Sequence, residues 1–199
     1  MKNAIIIFVR NPELGKVKTR LAEEIGDEPT LQVYKKLLQH THDIACSLEC
    51  DKFVYYADHI AENDLWEDDL FEKKRQEGAQ LGDKMMLAFV ELFEQGYSKL
   101  VIIGSDCPGL TTQLIEEAFA KHETSDVVIG PSRDGGYYLL GLAHLIPELF
   151  KNKKWSTGTV LADTIRDTFN LRKTCSLLPE LWDIDTAEDL DYYRQMQKV

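Results

Sequence analysis

Residues 99–110, KLVIIGSDCPGL, carry four aliphatic residues into Gly104 and then set Asp106 ahead of a Cys-Pro-Gly break. A continuous apolar run bounded by turn residues reads as a strand buried on both faces, the central strand of a mostly parallel sheet. Pro108 and Gly109 keep the chain from passing straight into a helix, so Asp106 is held at the carboxyl end of that strand. In open α/β sheets ligands bind outside those ends. A carboxylate there suits Mg2+ or Mn2+, hard cations that prefer oxygen ligands, and it equally suits an Asp that caps a turn.

Outward from this strand, the period of the apolar positions switches repeatedly between strand and helix. NAIIIFV (3–9) and DKFVYYA (51–57) read as strands, and a helix is expected from about Glu28 to Leu48, with Leu31, Tyr34, Leu37, Leu38, Thr41 and Ile44 at helical spacing. Residues 58–75 are dense in charge and predict a solvated helix or a loop excursion. QEGAQLGDKMMLAFVELFEQG (76–96) reads as a loop and an amphipathic helix closed by Gly96. Further helices are predicted over 111–122, 158–170 and 183–196, and strands over 126–130, 136–142 and 173–178. In the last helix Thr186 and Asp189 have capping-box spacing. The alternation predicts a mostly parallel sheet covered on both faces.

The chain has 199 residues, 44% hydrophobic and 29% charged, with no break in composition, so one domain over residues 1–199 is expected. Its apolar runs fall short of the ~20 residues that span a bilayer, so no membrane span is expected. MKNAIIIFVRN reads as a first strand rather than a signal peptide. Cys46, Cys50, Cys107 and Cys175 are scattered, which favours a reducing compartment and a cytoplasmic protein. Without C-x-x-C spacing or a neighbouring His they argue against a zinc site, and the five histidines are assigned to surface or core.

A net charge of −11 argues against nucleic acid as a partner, so any anionic ligand must be met locally. The loop PELGKVKTRLA (12–22) answers that need, with Lys16, Lys18 and Arg20 at alternate positions after a Gly-containing turn. Such a loop can wrap a polyphosphate, although it lacks the Walker A pattern. A solvated loop paired with Glu23 and Glu24 is the competing reading.

Four other stretches invite chemistry. In GPSRDGGYYLLGL (130–142), Arg133 and Asp134 precede Gly135 and Gly136, which permit close backbone approach to a ligand or make an ordinary turn. In LWDIDTAEDL (181–190), Asp183 and Asp185 share one side if the segment is extended, and one of them could complete a metal site with Asp106; Asp185 or Thr186 also suits a helix N-cap. Gln76, Gly78 and Gly82 in QEGAQLGDKM could admit a nucleotide base or form a plain turn. Ser156 and Thr157 in WSTGTVL sit at a helix start, as N-caps or as contacts to a substrate hydroxyl or phosphate.

Taken together, in their order along the chain, these six motifs resemble the DUF2064 family of GT-A-type proposed glycosyltransferases, a bacterial group sometimes tied to arsenosugar biosynthesis. They are more distantly similar to phospholactate and molybdenum-cofactor guanylyltransferases. The resemblance implies a three-layer, Rossmann-like mixed sheet with one reversed strand, a nucleotide-diphospho-sugar donor, a small-molecule acceptor and Mg2+ or Mn2+. It places Lys18 and Arg20, beside Lys16, on the phosphate loop and Gln76, Gly78 and Gly82 near base or ribose. Asp106 and Asp185 fall at the metal, and Asp134, Gly135 and Gly136 on the acceptor side with Ser156 and Thr157. Asp106 and Asp134 are thereby the catalytic candidates.

Two departures matter. SDC carries one carboxylate where many sugar transferases have D-x-D, and the basic first loop is more typical of enzymes that grip an NTP and expel pyrophosphate. A guanylyltransferase-like nucleotidyltransferase acting on an NTP and a phosphorylated or acidic acceptor is therefore the alternative, and a non-catalytic nucleotide-binding module a further one. The sequence leaves a homodimer open.

Overall fold

The structure is a computed structural model that describes residues 2–196. β1 (Asn3–Val9) and β4 (Lys99–Ile103) are its central strands, and their continuous apolar runs divide by alternation between two cores. Ile5, Ile7, Val101 and Ile103 face one core, while Ala4, Ile6, Leu100 and Ile102 face the other. A strand sandwiched by helices has no solvent face, so both side-chain sets are apolar.

The first core is closed by α2 (Asp27–Cys46) and α4 (Thr112–Lys121) through Tyr34, Leu38, Ala45, Ile115 and Ala118. The second is closed by α3 (Leu81–Glu94) and α5 (Val160–Asn170) through Met85, Phe89, Leu92, Leu161 and Ile165. These are the outer layers of a three-layer α/β fold. A smaller cluster of Leu21, Leu37, Ile184 and Leu190 joins α1 (Thr19–Ile25), α2 and α6 (Ala187–Met196) at one end.

The remaining strands are β2 (Asp51–Tyr56), β3 (Glu72–Arg75), β5 (Val127–Pro131), β6 (Tyr137–Leu142) and β7 (Cys175–Leu177), and the sheet order is β3-β2-β1-β4-β6-β5-β7. Every pairing is parallel except those of β6, which runs antiparallel to both β4 and β5. The one reversed strand expected from the resemblance is thus β6. The short turn Ser132–Gly136 that joins β5 to β6 dictates the reversal, since a connection this short can only return the chain antiparallel. Gly135 makes that turn with φ +85°, and a Cβ there would lie 2.2 Å from the Gly158 carbonyl oxygen. The reversal puts the start of β6 beside the end of β4, with Gly104 N donating to Tyr138 O at 3.4 Å.

Three elements differ from the sequence reading. The helix expected from about Glu28 is preceded by a separate one, α1, and the two meet at Gly26 with φ +89°. Residues 58–71 form the loop excursion, not the helix, of the two forms expected there, and 72–75 depart from both as β3, whose EKKR sequence pairs with β2 at the sheet edge. Charged residues on an edge strand oppose unwanted strand addition, which is why no apolar signal marks it. Trp66 and Phe71 from the preceding loop are fully buried against the first core. Ser156 and Thr157 do not cap α5, which starts after Thr159. The capping box of α6 is present, with Asp189 N donating to Thr186 Oγ1 at 3.3 Å and Thr186 N to Asp189 Oδ2 at 2.9 Å.

Candidate active site

A cleft of about 800 Å³ opens at the carboxyl ends of β1 and β4 and is closed laterally by the β5–β6 turn. The segment 181–185 reaches it by running alongside the end of β5. Leu181 N donates to Pro131 O and Arg133 N to Leu181 O, both at 3.0 Å, and Ile184 N then donates to Asp106 O at 3.2 Å. These bonds bring the late aspartates to the strand-end aspartate.

At the centre, Lys18 Nζ lies 2.7 Å from Asp106 Oδ2 and 2.7 Å from Asp185 Oδ1. Arg20 Nη2 donates to Asp185 Oδ2 from a more exposed position. Burial opposes the charge on Lys18, but the two carboxylates outweigh it and hold the ammonium charged well above its ordinary range. Asp185 is likewise held below the usual carboxylate range, because Lys18 and Arg20 outweigh its desolvation. Lys18 occupies the left-handed region at φ 47°, a conformation costing a non-glycine residue of order 1–3 kcal/mol. The double ion pair over-determines it.

Asp183 behaves differently. Burial, reinforced by the charge of Asp106, pushes its carboxyl up to about 7. Ser132 Oγ donates to its Oδ2 at 3.0 Å, while its buried Oδ1 has no hydrogen-bond partner. The sequence reading weighed Asp183 only as the alternate of Asp185; the structure brings both to the cleft.

The other expected residues divide. Lys16, Gln76, Asp134, Gly136, Ser156 and Thr157 line the cleft. Lys16 is exposed and pairs with Glu13 at 2.6 Å. Gln76 donates through its amide to Tyr55 O at 2.9 Å and Val9 O at 3.3 Å, tying the loop to two strand ends. Asp134 Oδ1 accepts from Gly136 N at 2.9 Å, and Thr157 Oγ1 donates to Lys154 O at 2.7 Å. Gly78, Gly82 and Gly135 are not wall residues and act on shape instead. Gly78 packs over Asp83, Gly82 lies against the Trp155 ring that lines the cleft, and Gly135 meets Gly158.

The sequence reading missed Arg10, Lys84 and Trp155, which also line the cleft, and the hydroxyl of Tyr34. That hydroxyl accepts from Arg10 N at 2.9 Å and sits 3.3 Å from Ser105 Oγ, bracing the residue before Asp106. Tyr34 was legible only as an apolar helix position.

The fold defines the class: an α/β transferase with the nucleotide-diphospho-sugar transferase architecture. The chain belongs to the family described as "Uncharacterized protein conserved in bacteria (DUF2064)", which matches residues 40–157. It resembles a protein of Desulfovibrio desulfuricans G20 proposed to be a nucleotide-diphospho-sugar transferase, with a TM-score of 0.91, 31% identity and coverage of 100% of this chain and 89% of that one. It also resembles the 4-diphosphocytidyl-2C-methyl-D-erythritol synthase of Anaerococcus prevotii DSM 20548, with a TM-score of 0.64, 11% identity and coverage of 100% and 96%. A third similar structure is Rv0371c of Mycobacterium tuberculosis H37Rv in complex with manganese, with a TM-score of 0.58, 11% identity and coverage of 100% and 98%. The last two likenesses bear on the fold alone. Comparison with curated proteins gives no match. Among the described residues no helix is long and apolar enough to cross a membrane.

Proposed function

We propose that the cleft binds the diphosphate of a nucleotide-activated sugar with Mg2+ or Mn2+ and transfers the sugar to a small-molecule acceptor. The observation that carries this reading is the meeting of Lys18, Arg20, Asp106 and Asp185 at the carboxyl ends of the central strands. The donor set fits a hard divalent cation: it is made of carboxylate oxygens, and the unpartnered Asp183 Oδ1 beside Asp106 marks a place short of positive charge. Asp106 and Asp185 would hold the ion, whose contribution is to neutralise charge on the departing phosphate.

Lys18 is the resident counter-cation of Asp106 and Asp185, and it turns to the phosphates when ligand fills the cleft. Arg20 and Lys16 add cations at the rim. Gln76 fixes the loop on which Gly78, with Gly82 in the first turn of α3, shapes the base side, with Trp155 as an apolar wall. Asp134 orients the acceptor hydroxyl and takes its proton as the acceptor oxygen bonds to the anomeric carbon and the nucleoside diphosphate leaves. Gly135, Gly136, Ser156 and Thr157 frame that side. Residues 1–199 act as one domain in the cytoplasm.

Nucleotidyl transfer is the second reading, favoured by the additional cations Arg10 and Lys84 in the cleft wall, which suit a triphosphate. The chemistries are separated by their leaving groups. Incubation with Mn2+ and UDP- or GDP-sugars is expected to release nucleoside diphosphate; exclusive pyrophosphate release from NTPs would sink the glycosyl reading.

A further inference from the structure

On the far edge of the first layer, three side chains meet that neither the core nor the cleft uses. His42 and Cys46 lie one helical turn apart on α2 and so share a face, and Glu67 reaches them from the loop between β2 and β3. His42 Nε2 is 2.8 Å from Glu67 Oε2 and 3.4 Å from Cys46 Sγ. Their ligand atoms all lie within 4.8 Å of one another, the one such group of three among the described residues. This corrects the sequence reading, which found no His near a Cys at ligand spacing. The pair stands at i and i+4, and its third member comes from a charged loop.

The imidazole is also oriented from behind. His42 Nδ1 lies 3.1 Å from Asp43 Oδ1, and Gln39 Nε2 holds the same carboxylate at 2.8 Å. The buried rings of Trp66 and Phe71 flank it at 5.7 Å and 5.5 Å. A histidine whose Nδ1 proton goes to a carboxylate offers its Nε2 lone pair to a metal once the Nε2 proton, here shared with Glu67, has left, the arrangement that supports metal-ligating histidines.

We propose that His42, Cys46 and Glu67 form a three-ligand site for a borderline transition-metal cation, Zn2+, separate from the cleft. Imidazole, thiolate and carboxylate are the donors that Zn2+ takes in tetrahedral geometry, and three of them leave a fourth position for water. The all-oxygen cleft selects harder ions, so the two places sort metals by donor softness. On binding, the Cys46 S–H bond breaks and His42 gives up the Nε2 proton that it shares with Glu67; both protons pass to solvent, and the thiolate and the freed Nε2 bond to the ion with no change of oxidation state. Glu67 lies beside Trp66, so the ion would pin the loop ahead of β3 onto α2.

The test titrates the purified full chain with Co2+ as a spectroscopic stand-in for Zn2+, followed by Zn2+ competition. Wild type is expected to bind a single equivalent with a thiolate-to-cobalt charge-transfer band, and the exposed substitution Cys46→Ser to abolish that band. Glu67→Gln and His42→Gln are expected to weaken binding by at least the ~10–100-fold that losing an orienting partner costs. Cys50→Ser and Cys175→Ser should leave the band unchanged. Zn2+ should raise the thermal midpoint of wild type and not that of Cys46→Ser, while Mg2+-dependent activity is equal in both. Absence of a thiolate band in wild type, or Zn2+ binding of equal affinity in wild type and Cys46→Ser, would overturn the proposal and leave an ordinary surface ion pair.

Discussion

Asp183 shows how a buried carboxyl couples the cleft to pH. Its folded value of about 7 stands above the ~3.9 of an unfolded Asp, so between those values the native chain binds more protons than the unfolded one. Stability contributed by this group is therefore lost as pH rises through that window and is constant above it. Asp183→Asn, which keeps a polar partner for Ser132 and removes the charge, is expected to be more stable than wild type at pH 8 by roughly 1–4 kcal/mol. The gain should vanish towards pH 4. Denaturant unfolding with chelator present checks this, and a pH-independent difference would contradict it.

The two cations of the centre separate by burial. Lys18 is enclosed, so Lys18→Met strands two part-exposed carboxylates and should cost about 1–3 kcal/mol of stability. Arg20 is exposed, so Arg20→Ala should change stability by less than ~1 kcal/mol. Both should weaken nucleotide binding about tenfold or more, read by calorimetry. A stability loss for Arg20→Ala equal to that for Lys18→Met would refute the division.

At the scale of elements, the start of α6 positions Asp185, the carboxylate proposed for the metal. Asp189 Oδ2 accepts from Asp185 N at 3.1 Å, Thr186 N at 2.9 Å and Thr186 Oγ1 at 2.7 Å, so one carboxylate serves as helix cap and as brace for Asp185. Asp189→Ala is expected to cost about 0.5–2 kcal/mol and to lower metal-dependent nucleotide affinity, although Asp189 itself lies outside the cleft wall. Unchanged affinity at lowered stability would show that the cap does not position Asp185.

Legibility in the sequence followed physical visibility at this scale. β1 and β4 were readable because strands buried on both faces are apolar throughout, and Asp106 because Pro108 and Gly109 mark the strand end after it. The capping box of α6 was readable from its spacing. β3 was not, because EKKR is a strand only through its pairing with β2, and α1 was not, because its seven residues bury Leu21 alone. Lys18 and Asp185 were both named from sequence, but their contact across the fold was visible only once segment 181–185 lay along β5. The role of Asp183 depends on which oxygen finds Ser132, and that of Tyr34 on where a hydroxyl points. Neither leaves a trace in residue pattern.

Over the whole molecule, a chain of net charge −11 presents a cleft whose cations are concentrated in one loop and its neighbours. Long-range steering of a polyphosphate is unfavourable for such a chain, so binding must rest on contacts inside the cleft and on a cation shared with it. The reversed β6 sets the Asp134 turn beside the end of β4, so that Lys18, Asp106 and Asp134, proposed for the phosphate, metal and acceptor sides, open into one space. The most direct test is calorimetric titration of wild type and Asp106→Ala with a UDP- or GDP-sugar, in Mn2+ and in chelator. The account predicts that wild type binds only with Mn2+ and that Asp106→Ala loses at least tenfold in affinity; equal, metal-independent binding by both chains would contradict it and leave a non-catalytic nucleotide-binding module.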